Sequence, residues 1–186
     1  MATPPPPLPQ TMRAVQVTSY GAQYETRTVA VPVPGRHNLV VKVAVASYCH
    51  TDAMVRSGAF AGDPRQRLPL TASHEGAGTV AAIGVAVDGS VFAPGDRVMC
   101  GLPLHPCGTC ADCRWSEDDG AVGKRREGRS QYCTQVEGHV GVHIDGCLAE
   151  YVVVDSRTTT KLPDEISFLE AAPLAVSWRF YSVSIP

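Results

Sequence analysis

Ser73–Gly84, SHEGAGTVAAIG, is the stretch whose reading decides the fold. Its Gly76-Ala77-Gly78 has the G-x-G of a nucleotide-binding turn, but no third glycine follows at the required spacing. A phosphate-cradling turn also has to sit between a strand and a helix. Here the glycines open a β-like run, and the next apolar segment, Gly95–Cys100 (GDRVMC), is again short and strand-like. The pair therefore reads as two strands punctuated by glycine turns. Outward from it the same pattern repeats. MRAVQVTSY (12–20) and YETRTVAV (24–31) alternate apolar and polar residues, NLVVKVAVAS (38–47) is too short and too β-branched to favour a helix, and DGCLAEYVVVD (145–155) enters a strand from an Asp145-Gly146 turn. Two short helices are expected, over Asp52–Gly58 and over PDEISFLEAAPLA (163–175), the second for its acidic first turn. Many short strands joined by Gly/Pro turns, with no internal repeat, give a mainly β barrel or sandwich.

The 186 residues are 44% apolar and 18% charged, with a net charge of -2. That is a globular chain without the basic footprint of a nucleic-acid binder. No apolar run approaches the roughly 20 residues that span a bilayer. The opening MATPPPPLPQ lacks the basic and apolar regions of a signal peptide, so a cytoplasmic location is expected, with residues 1–11 forming a disordered, proline-rich tail. Seven cysteines in such a compartment point to metal ligands or catalytic thiolates rather than a disulfide framework.

Those cysteines are not scattered. Cys107, Cys110 and Cys113 form a ladder of two-residue gaps, and Cys133 follows after nineteen residues rich in both charges. By spacing alone this is either a four-thiolate site with a long loop or three ligands and an unrelated fourth thiol. A second group lies at predicted strand ends, Cys49-His50-Thr51-Asp52 and Ser73-His74-Glu75. A thiolate and an imidazole on separate strand ends suit a tetrahedral Zn2+ ion. Each alone is as readily a buried thiol or a satisfied histidine.

The order CHTD, HEGAGTVAAIG, GDRV, CGTCADC and DGCLAEYVVVD…LPDEIS…AAPLA resembles the zinc-dependent medium-chain alcohol dehydrogenases over about Met12 to Ala175. The resemblance implies a GroES-like, partly open β-barrel with short helices and a cysteine-rich zinc lobe, the catalytic domain of an NAD(P)-dependent oxidoreductase. It implies a catalytic Zn2+ on Cys49 and His74, with Glu75 as an alternative ligand, and hydride passing from an alcohol to the nicotinamide. Thr51 matches the hydroxyl that begins the proton relay, Asp52 the carboxylate that orients His74, His50 the residue near the cofactor pyrophosphate, and Phe60 an aromatic wall of the substrate pocket. Cys107, Cys110, Cys113 and Cys133 match a structural Zn2+ lobe over about 105–135. The expected partner is a small alcohol or aldehyde, with neither nucleic acid nor membrane, and full-length relatives are commonly homo-oligomers.

Departures from the family pattern matter as much. The family closes its fourth cysteine after seven residues, so about twelve extra residues (117–128) interrupt the lobe. Lengthening a flexible loop from seven to nineteen residues costs about 0.9 kcal/mol, against roughly 10–16 kcal/mol for a structural zinc site, so Cys133 is expected to remain a ligand. Met54 stands where a relay histidine is common, and Val176 where a third zinc cysteine is usual. Residues 176–186 no longer follow the pattern, and no Rossmann unit follows them, as truncation, splicing or gene-model error would produce. This chain is therefore expected to be inactive alone; the alternative is a non-catalytic, zinc-stabilised GroES-like module. His139 and His143 are expected on the surface, Cys100 and Cys147 as buried unpaired thiols, and His105 as at most a spare ligand.

Overall fold

A computed structural model describes residues 7–114 and 132–181, with side chains described to 113 and from 132 to 175. The expected insert at 117–128 lies outside the described residues. Among the described residues ten strands and three helices follow one another. In chain order they are β1 (Thr11–Val17), β2 (Glu25–Ala30), β3 (Asn38–Ser47), α1 (His50–Ser57), β4 (Leu70–Thr71), β5 (Glu75–Ile83), β6 (Arg97–Met99), β7 (Pro103–Leu104), α2 (Ala111–Arg114), β8 (Gly138–His139), β9 (Tyr151–Asp155), β10 (Thr160–Lys161) and α3 (Phe168–Tyr181). The strands form a five-stranded sheet ordered β10-β6-β5-β3-β9, a three-stranded sheet ordered β2-β1-β4 and the β7-β8 pair. The chain is mainly β and its five-stranded sheet does not close, in line with the partly open barrel expected.

The valine run of β3 explains its central place. Asn38–Val41 are buried on both faces between β5 and β9, and alternation resumes only from Lys42. Leu39, Val41, Val80, Val98, Val152 and Val154 build the core with Phe92, Cys100 and Cys147. Against β5, β3 shifts register at Val40/Val41 and Val43/Val45, bulges that bend the strand. A Cβ on Gly78 would strike the Lys42 carbonyl there. The second glycine of G-x-G therefore answers to a neighbouring strand, not to a phosphate.

Two expectations need correction. The last helix starts at Phe168, not Pro163. Ser167 Oγ accepts the Glu170 N–H at 3.2 Å and the Glu170 carboxylate accepts the Ser167 N–H at 2.9 Å, a capping box that outcompetes the upstream acidic turn. His143 is not on the surface: its side chain is 6% exposed, because it turns inward to Asp63. No helix among the described residues is long and apolar enough to cross a membrane.

Candidate metal centres

β3 delivers Cys49 at the N-cap of α1, and the turn before β5 delivers His74. Cys49 Sγ and His74 Nε2 stand 3.6 Å apart. Two ligands at about 2.3 and 2.05 Å from one tetrahedral zinc are separated by about 3.6 Å. Asp52 is fully buried beside them. Its carboxylate accepts the Cys49 N–H and the Ser73 N–H, both at 2.8 Å, so it fixes the backbone on each ligand's side. His74 Nδ1 is buried without a hydrogen-bond partner among the described residues. Asp52 thus reaches His74 through the Ser73 peptide rather than through the ring. Burial pushes the Cys49 thiol pKa up, opposed by hydrogen bonds from Thr51 and Asp52. Burial also pushes His74 down and Glu75 up, keeping the imidazole neutral and available as a ligand.

The other expected residues spread around this pair. His50 is exposed and Thr51 half-buried at the start of α1, while Glu75 is buried at the start of β5. Around this pair, Cys49, Asp52 and His74 bring ligand atoms within 4.8 Å of one another, and among the described residues Glu75 stands outside that group. Phe60 lies in the loop after α1, packed with Leu68 on Val55, Leu70 and Val142. Val176 falls within α3, and its side chain is outside the described residues.

In a second group, Cys107, Cys110, Cys113 and Cys133 also bring their sulfurs within 4.8 Å of one another. Cys110 and Cys133 sulfurs are 3.9 Å apart, close to the roughly 3.8 Å edge of a zinc–thiolate tetrahedron. Backbone N–H groups of Thr109 and Cys110 donate to Cys107 Sγ, that of Cys113 to Cys110 Sγ, and that of Cys107 to Cys133 Sγ, at 3.2–3.4 Å. The Thr109 hydroxyl and the Thr109 and Cys110 N–H groups pull the Cys107 thiol down to about 6, toward the thiolate a metal needs. The four sulfurs thus gather across the long gap, the arrangement a four-thiolate site would need. His105 is no spare ligand: its Nδ1 meets Glu137 and its Nε2 meets Asn38.

The alcohol dehydrogenase GroES-like domain model matches residues 35–164. The chain belongs to that family. An NAD-dependent alcohol dehydrogenase of Sulfolobus acidocaldarius is 34% identical over 170 residues, 89% of this chain and 44% of that protein. An acryloyl-coenzyme A reductase of Metallosphaera sedula is 31% identical over 156 residues, 84% of this chain and 41% of that protein. The cobalt- and zinc-bound thermostable alcohol dehydrogenase of Pyrobaculum aerophilum superposes with a TM-score of 0.74 at 26% identity, covering 94% of this chain and 49% of that one. This GroES-like domain thus spans less than half the length of the relatives it matches.

Within the GroES-like domain, two residues escaped the sequence reading. Ser73 adopts φ 72, rare for a non-glycine. Its hydroxyl donates to Ser47 O at 2.8 Å and its N–H to Asp52, which locks the approach to His74. Gly141, at φ 74, lies so close behind that a Cβ would fall 2.7 Å from His74 N. No local pattern announces either, because both depend on segments distant in sequence. The donors present, one thiol with one imidazole and four clustered thiols, suit zinc at both centres.

Proposed function

We propose that this domain is the metal-binding, substrate-facing part of a zinc-dependent alcohol dehydrogenase, interconverting an alcohol and its carbonyl compound with NAD(P). The 3.6 Å approach of Cys49 Sγ to His74 Nε2 beside buried Asp52 carries the reading. Zinc bound there would supply a Lewis acid that makes a hydroxyl easier to deprotonate and a carbonyl easier to reduce. Cys49 and His74 hold the ion, and Asp52 holds both ligands in place through backbone N–H groups. The Thr51 hydroxyl passes the substrate proton outward, Phe60 walls the apolar side of the pocket, and exposed His50 meets the dinucleotide phosphates. Cys107, Cys110, Cys113 and Cys133 would hold a second zinc, which would brace the lobe. On this reading a separate dinucleotide-binding domain would present the nicotinamide.

A second reading, a zinc-stabilised module without catalysis, is favoured by Val176, whose side chain offers no ligand atom. Metal content separates the two. The purified chain is expected to hold two zinc ions and Cys49→Ser one, while the 186 residues alone do not reduce NAD+ with ethanol. A single zinc in the wild-type chain, unchanged by Cys49→Ser, would overturn the enzyme reading and leave the module.

A further inference from the structure

We propose that His143 is a positioning residue of this pocket, whose neutral ring clips the Phe60 loop to the turn behind His74 and whose protonation releases it. The inference rests on the reading of Phe60 as a pocket wall. Residues 58–69 leave α1 through Gly58, in the left-handed region at φ 85, and contain Phe60, Asp63, Arg65 and Gln66. Three side-chain contacts among the described residues tie this loop to segments distant in sequence. Tyr20 Oη donates to Gln66 Oε1 at 3.1 Å, Gln66 Nε2 donates to Val142 O at 2.9 Å, and His143 Nε2 lies 3.2 Å from Asp63 Oδ2. Phe60 packs on Val142 in the small core these bonds enclose.

The ring of His143 has its tautomer set by its neighbours. The His139 N–H donates to His143 Nδ1 at 3.1 Å, so Nδ1 carries no proton and the single ring proton sits on Nε2, facing Asp63. A second proton has only Nδ1 to occupy, where it would confront the His139 N–H and abolish that bond. The charged groups around the ring divide. Asp63 favours the imidazolium, while burial and Arg65, which itself grips Asp63 through two bonds of 2.9 and 2.6 Å, oppose it. The His139 ring, its centroid 5.3 Å away, is the remaining titratable neighbour. The balance lies below the ordinary histidine value. A depressed histidine contributes its stability above the unfolded value near 6.5 and loses it as pH falls toward the folded one.

What the clip holds is the wall behind the metal ligand. Gly141 of the same turn lies against Ser73 and against His74 N, and the turn is tied internally by Gly141 N–H to Ile144 O at 2.7 Å and His143 N–H to His139 O at 2.9 Å. Loop 58–69 is thus referenced to the His74 backbone through His143 and Val142, and a broken clip lets Phe60 drift while His74 stays.

Amide hydrogen exchange on the zinc-loaded chain at pH 7.5 and 5.0, corrected for intrinsic exchange, tests this. Peptides covering 58–69 should exchange about tenfold faster at pH 5.0 in the wild type, while β3 and β9 peptides do not change in proportion. His143→Ala should exchange fast at both values. His143→Gln, whose amide can still donate to Asp63 and cannot be protonated, should stay protected at both. Acid-driven metal loss would act on all three chains alike, so the glutamine variant separates it. Protection in His143→Ala equal to the wild type, or a wild-type pH response that persists in His143→Gln, overturns the clip. In a cobalt-loaded sample, paramagnetic broadening of the Phe60 ring should weaken in His143→Ala and return in His143→Gln. A wild-type chain that takes no cobalt at Cys49 and His74 overturns the zinc reading instead, and the exchange arms still decide the clip.

Discussion

Replacing Gly141 by alanine probes how tightly the turn behind His74 is packed. Two separate costs meet there. Gly141 has φ 74, and a Cβ would strike the Ser73 carbonyl group and come within 2.7 Å of His74 N. These are backbone atoms that cannot swing aside, since the Ser73 N–H is held by Asp52 at 2.8 Å. Left-handed strain for a residue with a Cβ costs about 1–2 kcal/mol, and overpacking a filled site about 1–3 kcal/mol, so about 2–5 kcal/mol is expected in all. Two other glycines isolate the parts. Gly95 has φ 98 with nothing within 4 Å of a Cβ, and Gly89 has open space and no positive φ. Gly95→Ala should therefore show the strain alone, and Gly89→Ala should stay within about 0.5 kcal/mol. Urea unfolding of the three zinc-saturated variants, at unchanged m-value, gives the differences directly. The Gly141 variant should also lose zinc from Cys49/His74 while keeping that of the four-cysteine lobe, because the Ser73–His74 peptide must shift. A Gly141→Ala chain no less stable than Gly95→Ala would refute the close contact, and with it the claim that this turn backs the ligand.

Asp52→Ala strands the Cys49 and Ser73 N–H groups that its carboxylate accepts, each at about 1–3 kcal/mol; denaturation should show a loss of about 2–6 kcal/mol, with Asp52→Asn losing less because its amide oxygen still accepts one of them. Cys133→Ser should halve the bound zinc and leave the Cys49/His74 site loaded, as metal analysis with and without Cys49→Ser would show. Burial alone would raise the Asp155 carboxyl, but hydrogen bonds from Arg157 and the His105 N–H bring it below its ordinary value. Its contribution is therefore complete above about pH 4 and lost as pH falls through the lower folded value. The slope of stability between pH 3 and 5 should be shallower in Asp155→Asn than in the wild type.

The parts of this molecule that could be read in advance are those where chemistry and pattern act locally. The valine run of β3 occupies residues 38–47 as expected, because a stretch buried on both faces carries its own apolar signal. The cysteine ladder announced its sulfur cluster through residue type alone, and Cys133 joins it across the gap, since loop length enters closure only logarithmically. The misread parts are those where a distant partner decides. His143 lies among glycines and polar residues that suggest a surface turn; its side chain turns inward because Asp63, far earlier in the chain, presents a carboxylate to it. Ser73 takes a left-handed backbone that serine does not advertise, for hydrogen bonds to Ser47 and Asp52 on other elements. Even the late start of α3 at Phe168 follows from a rule visible in Ser167 and Glu170, overshadowed by the more conspicuous Pro163-Asp164-Glu165. The candidate ligand types were thus open to a sequence reader, but the backbone that brings them together was not. An aimed metal site depends on hydrogen bonds such as Asp52 to Ser73, which join segments that only the finished fold brings together.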